Sequence, residues 1–331
     1  MEKNSESYKL MEQARTLLIL NNFDWIKQRA LEIGVEIIPL KGIDLLQTIY
    51  SENLDRHLND IDFLCQSIDD CIKLVNYLCQ EGYRVEFPFA TRPEVLASKK
   101  KISLLSCSTV RVNVDIHIAF VTKKFFSKTV GTFNTDALSR CSNGQMNEYD
   151  RWIFLAQHAS FHLFADFKWT KDLRIIYDGY SGEQVIKLIN EAEYYGFKRV
   201  VIATLCHIYK DDLATLKRNY SLIKMSSSDI RFLGLVLEYD RPITRQFLDK
   251  ITSAYWEFMF IDNRVKRINA WFSLFFPSVG MLTNIYRIKN TKSALFFYPL
   301  NLLVSGFTSL LFALIYVRAC AKRINEAREM Q

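Results

Sequence analysis

An α+β fold is what this sequence predicts: a small mixed sheet with flanking helices, followed by an all-helical C-terminal domain. Three observations carry that reading. Short β-prone runs alternate with helical spacings over about the first 120 residues. Beyond about residue 150, apolar residues recur at helical intervals almost throughout. One β-prone run between them, Asp60-Ile-Asp-Phe-Leu-Cys65, sets two acids on the same strand face.

In chain order, a first helix is expected over 5–33, where Tyr8, Met11, Ala14, Leu17, Leu18, Phe23, Ile26 and Ala30 keep helical spacing. Ser5 suits its start and Gly34 the position after its end. A short strand over 35–40 leads into Lys41-Gly42, a helix over 43–50 and a polar loop over 51–59. Ser67, with Asp69 and Asp70 in the following turn, opens a helix that Gly82 ends. Its buried stripe is Ile72, Val75, Leu78 and Cys79. Alternation marks a strand over 83–87, and 102–107 with 110–118 read as a hairpin turning at Ser108-Thr109. Helices are expected over 151–177, 184–195, 197–209 and 244–276.

The domain division expected from this pattern is an N-terminal helical part over 1–34 packing on a sheet domain over 35–125, then a helical domain over 150–331. The boundary falls in the stretch holding Gly131, Asn143 and Gly144. No internal repeat or low-complexity tract is visible.

With 49% apolar and 24% charged residues, the chain is a folded protein rather than a disordered one. Its seven cysteines are scattered, with no CxxC pair. Reduced thiols and a cytoplasmic setting are therefore expected, not a disulfide framework or a zinc site. The start, Met-Glu-Lys-Asn-Ser-Glu-Ser, lacks the apolar core of a signal peptide. The formal charge of +7 is uneven: residues 241–331 hold 13 Lys/Arg and 5 Asp/Glu, whereas 1–240 hold 30 and 31. A basic C-terminal region suits phosphates, RNA or an anionic membrane.

Asp60 and Asp62 repel each other unless a cation sits between them. Oxygen donors of this kind suit Mg²⁺ or Mn²⁺. A third acid, Asp115, lies in the β-prone run 110–118 and shares a face with His117. Three carboxylates on neighbouring strands can hold the two ions used for in-line displacement at phosphorus.

Ile38-Pro-Leu-Lys-Gly42, Arg56-His-Leu-Asn-Asp-Ile-Asp-Phe-Leu64 and Val114-Asp-Ile-His117, in that order, resemble a bacterial family of uncharacterised nucleotidyltransferases. That family belongs to the DNA-polymerase-β-like superfamily. The helical half is similar too, in His158-Ala-Ser-Phe-His162, Lys168-Trp169, Asp172-Leu173, Phe276-Pro-Ser and Tyr286. The resemblance implies a minimal polymerase-β-like sheet and transfer of a nucleotidyl group from an NTP, such as ATP, to a hydroxyl, with release of pyrophosphate. Where the wider superfamily usually has Gly-Ser before the acidic strand, this chain has Lys41-Gly42.

Asp60, Asp62 and Asp115 are the candidate catalytic and metal-ligating residues. Asp115 is the candidate acceptor of the attacking hydroxyl's proton. Lys41, Gly42 and Arg56 are candidates for binding the triphosphate: Gly42 for close backbone approach at a helix start, Lys41 and Arg56 for charge. His117, His158, His162, Lys168 and Asp172 are candidate substrate-cleft residues. The four-residue spacing of His158 and His162 could hold zinc, but a metalloprotease needs Glu where Ala159 stands. The acceptor, whether small molecule, peptide, glycan or RNA, stays open. So do two rival readings: an abortive-infection-type transferase acting on RNA or GTP, and a non-catalytic nucleotide-binding or scaffold protein.

Residues 293–317 carry no charge, a length able to cross a bilayer, with Lys292 before and Arg318, Lys322 and Arg323 after. Pro299, Asn301, Ser305, Gly306 and Thr308 dilute the run. A buried helix is the expected reading of 294–317, with membrane association as its rival.

Overall fold

The structure is a computed structural model. It describes residues 2–50, 56–86, 91–107, 111–121, 127–209 apart from 163 and 165, and 211–223. Beyond these it describes 225, 226, 229, 265, 268, 272, 275, 276, 297–307 and 310.

The chain divides into two compact units, one made of Met1–Thr122, Val130–Leu155 and Ile175–Gly179, the other of Lys123–Thr129, Ala156–Arg174 and Tyr180–Gln331. The first unit holds α1 (Glu2–Glu32), β1 (Ile37–Pro39), α2 (Lys41–Thr48), β2 (Asp60–Cys65), α3 (Ile68–Gln80), β3 (Tyr83–Val85), α4 (Pro93–Lys99), β4 (Lys101–Ser106) and β5 (Asn113–His117). After these come α5 (Ser127–Ser139), in the stretch that the sequence reads as a boundary, and α6 (Glu148–Phe161).

The sheet order is β1-β2-β5-β4-β3, with β2 and β5 parallel and every other pair antiparallel. Ile61, Phe63 and Cys65 on one side of β2 are fully buried, and α1 covers them. On α1, Ile19, Phe23, Ile26 and Ala30 form the buried stripe, and the Phe23 and Phe63 rings lie 6.4 Å apart. The earlier part of the expected stripe is different: Tyr8, Met11 and Leu17 face solvent. The helix also begins before Ser5, which therefore does not cap it. Ser67 does cap α3, its hydroxyl accepting from the Asp70 N–H at 3.0 Å.

One short helix escapes the periodicity argument and another starts earlier than expected. α4 opens with Pro93 at its first turn and stops at Lys100, which takes a left-handed φ of 59°. α2 starts at Lys41 rather than at 43. From α2, Asp44 is held by Arg151 of α6: Nε donates to Oδ2 at 2.6 Å and Nη2 to Oδ1 at 3.2 Å, both residues being buried. Arg151 Nη2 also donates to the Met146 carbonyl at 3.1 Å. Burial pushes the Asp44 carboxyl up, and the Arg151 charge and hydrogen bonds oppose it.

The described residues of the second unit are largely helical. The expected helix over 151–177 is two helices, α6 and α7 (Phe167–Asp178), parted at a turn where Phe164 takes φ 53°. α8 (Gly182–Tyr194) begins with a full capping box between Ser181 and Gln184. α9 (Lys198–Ile208) is buried almost along its whole length, even at Lys198 and Arg199. Those charges are met by Asp229, 3.2 Å from Arg199 and 3.8 Å from Lys198, and by Glu193, 3.2 Å from Lys198. α10 (Leu213–Ser221) follows. Of 244–276, only 265, 268, 272, 275 and 276 lie among the described residues, and the first four are helical. None of the described cysteines is disulfide-bonded, and no helix among the described residues is long and apolar enough to cross a membrane.

Breaking the Asp44–Arg151 pair from one side leaves a buried charge unmatched. Arg151→Met is expected to lower unfolding stability by about 3–5 kcal/mol. Adding Asp44→Leu to it should recover most of that loss, as chemical denaturation of the three proteins would show.

Candidate active site

The parallel register sets Asp62 across from Asp115 and Asp60 across from Asn113. On the other side of β5, Ser103 of β4 is across from Asp115, and Lys101 from His117. Residues paired across strands point to the same face. One face of the sheet therefore carries Asp62, Asp115, His117, Lys101 and Ser103 in a patch spanning three strands.

Asp62 is the centre of the patch and is only 3% exposed. Its Oδ1 accepts from Lys41 Nζ at 2.6 Å and from His117 Nε2 at 2.9 Å. Burial alone would raise this carboxyl, but the Lys41 charge and the His117 and Lys41 hydrogen bonds outweigh it, holding Asp62 well below the usual carboxylate range. Burial lowers His117, and the nearby Lys41 charge adds to this against the pull of Asp62. The imidazole is therefore neutral at pH 7, with Nε2–H donating to Asp62. Its buried Nδ1 has no hydrogen-bond partner among the described residues. Asp115 is held from the other side, Ser103 Oγ donating to Oδ1 and Lys101 Nζ to Oδ2, both at 2.6 Å.

Lys41 reaches Asp62 because the chain turns sharply between β1 and α2. Leu40 N–H donates to the Asp62 carbonyl at 2.9 Å, continuing the β1–β2 ladder. Lys41 then takes a left-handed φ of 50°, which costs a non-glycine residue on the order of 1–3 kcal/mol. Gly42 is explained by packing. A Cβ there would lie 2.5 Å from Leu58 Cδ2, and Leu58 is buried with its N–H pinned to Thr16 Oγ1 at 3.2 Å. Arg56 is buried in the same loop, its Nη1 donating to the His57 carbonyl at 2.6 Å.

Ligand atoms of Asp62, Asp115 and His117 lie within 4.8 Å of one another, a set able to hold a divalent ion. Two carboxylates and a neutral imidazole fit a divalent ion in donor chemistry. Asp60 is outside this trio. Two residues along a strand are roughly 6–7 Å, one full pleat repeat, which puts it beside Asn113 instead.

Sequence reasoning therefore named Lys41, Asp62, Asp115 and His117, which the structure brings together. It missed Lys101 and Ser103, although their period-two spacing on a strand was the available signal. His158, His162 and Trp169 form a separate ring cluster in the second unit, with centroids 4.8–5.1 Å apart. Lys168 there lies 3.0 Å from Asp166, with Nζ 5.9 Å from the Trp169 ring centre, and Asp172 is buried on α7.

A five-stranded mixed sheet with flanking helices and an acidic pair on its parallel strands is the α+β nucleotidyltransferase fold. A family model described as an uncharacterised nucleotidyltransferase matches residues 3–210, and the chain belongs to that family. No curated protein matches the chain.

Two outcomes test this local account. The stability that Asp62 contributes is present above about pH 4 and lost as pH falls through its depressed folded value. Asp62→Asn should therefore flatten the acid limb of the stability–pH profile, with a loss on the order of 1–3 kcal/mol near neutrality. Gly42→Ala should cost about 1–3 kcal/mol by overpacking against Leu58, measured by thermal or chemical unfolding.

Proposed function

We propose that this protein transfers a nucleotidyl group from an NTP to a hydroxyl of an acceptor. The observation that carries the reading is the Asp62–Asp115 pair set in register on parallel strands, with His117 completing a trio of metal-ligand chemistry. In the transfer, the hydroxyl oxygen bonds to the α-phosphorus, the bond from that phosphorus to the bridging oxygen breaks, and pyrophosphate leaves. The hydroxyl proton passes to Asp115, whose two oxygens are held by Ser103 and Lys101 and keep further lone pairs.

Asp62, Asp115 and His117 would hold a divalent ion, with Asp60 as a further oxygen donor from the same face of β2. Such an ion supplies charge stabilisation at phosphorus and lowers the pKa of a bound hydroxyl. Lys41 and Lys101, released from the carboxylates when these take up a cation, are placed to pair with phosphate oxygens. Gly42 offers its N–H in the first turn of α2, whose cap residue Leu40 has no side-chain acceptor to satisfy that turn. Arg56 contributes positive charge beside it.

The test is incubation with NTP labelled at the α- or the γ-phosphate, Mn²⁺ and a cell extract. Label from the α position should move to an acceptor, and Asp62→Asn or Asp115→Asn should reduce the rate on the order of 10²–10⁴-fold. Transfer of the γ label alone would make the protein a phosphotransferase and overturn the reading. So would full activity in both variants.

A further inference from the structure

We infer that the C-terminal part of this chain is a docking surface for an anionic lipid bilayer. The carrying observation is a helical stretch whose polarity is reversed. Over 298–307 the backbone is helical, yet Asn301 and Ser305, four apart on one side, are buried at 5% and 8% exposure. Asn301 Nδ2 donates to the Phe275 carbonyl at 3.2 Å and lies 3.5 Å from Ser305 Oγ. Leu300, Leu303 and Phe307 face outward, Leu303 at 73% exposure, and Leu310 extends the series. The spacing of these four is that of one helix face.

The segment that Asn301 contacts also turns apolar residues outward. Val265, Ile268, Phe272 and Phe276, again at helical spacing, are all more than half exposed. Both segments thus turn large apolar side chains outward, and in the one over 298–307 the polar Asn301 and Ser305 face inward. In water this arrangement is unfavourable, and an apolar patch of this kind marks an interaction site.

Charge decides between a lipid and a protein occupant. The apolar run is uncharged from 293 to 317, and its flanks in sequence are basic: Lys289 and Lys292 before it, Arg318, Lys322 and Arg323 after it. In sequence, Arg264, Lys266 and Arg267 neighbour Val265 and Ile268 of the other stripe. Residues 241–331 carry a net charge of +8 while the remainder carries −1. An apolar face whose run is flanked in sequence by Lys and Arg matches acyl chains below a layer of anionic headgroups.

The experiment uses the full chain and sedimentation with two kinds of vesicle: phosphatidylcholine alone, and phosphatidylcholine with phosphatidylglycerol in equal parts. The protein should pellet with the anionic vesicles and lose most of that binding at high salt. Leu303→Asp with Phe307→Asp should reduce binding at least about tenfold, because a charge in the hydrocarbon region is costly. Both positions are exposed, so the folded state, read by circular dichroism, should not change. Lys322→Gln with Arg323→Gln should weaken binding to the anionic vesicles severalfold. Failure of the wild-type chain to pellet with either vesicle would overturn the inference. Equal pelleting of the Asp variant would overturn it too, as would a vesicle-free dimer that the Asp substitutions convert to monomer without changing sedimentation. Label transfer from NTP in vesicle-free solution reports on the catalytic reading separately.

Discussion

Everything at the candidate site turns on a buried negative charge at Asp62 and the groups that make it tolerable. A lone carboxylate taken out of water costs several kcal/mol, and in most buried positions it would take up a proton instead. Here Lys41 and His117 both touch the same oxygen. The lysine provides charge and the neutral imidazole a hydrogen bond, so the acid stays ionised inside the sheet. That one requirement accounts for the left-handed backbone of Lys41, which aims the ammonium at Asp62, and for the unsatisfied Nδ1 of His117.

The sheet supplies the precision. Asp62 and Asp115 are far apart in the chain, and only a parallel pairing of β2 with β5 sets them side by side. α2, which delivers Lys41, is tied to α6 by the bidentate Asp44–Arg151 pair. Leu58, pressed against Gly42 and hydrogen-bonded to Thr16 of α1, fixes the loop before the acidic strand. Each of these contacts acts on the site by fixing an element, not by touching the reacting groups.

Much of this arrangement was legible in the residues. The acid-x-acid run, the Lys-Gly start of α2 and the Asp115/His117 alternation follow from strand and helix periodicity. What periodicity cannot supply is register. A hairpin turning on Ser108-Thr109 alone would set Ile102 across from Asp115, burying the wrong face of β4 toward the acids. The actual register is one residue further, so Ser103 faces Asp115 and Lys101 comes with it. A slip of one residue exchanges the two faces of a strand, which is why both residues went unnamed. Asp60 shares the face of Asp62 one pleat repeat away, beside Asn113 of β5. α4 and α10 are too short for their spacing to stand out, and the turn at Phe164 carries no glycine or proline to announce it.

The C-terminal segment shows where hydropathy misleads. Polar residues inside an apolar run dilute its hydropathy, which points to a buried helix over 294–317. Among the described residues of that run, Asn301 and Ser305 are the inward positions, and Leu300, Leu303 and Phe307 face out. A buried helix hides its apolar side in the protein and leaves polar side chains to water. The bilayer contact inferred above rests on that inversion together with the basic residues on both flanks in sequence. The same side chains that weaken a hydropathy window are therefore the ones that orient the segment.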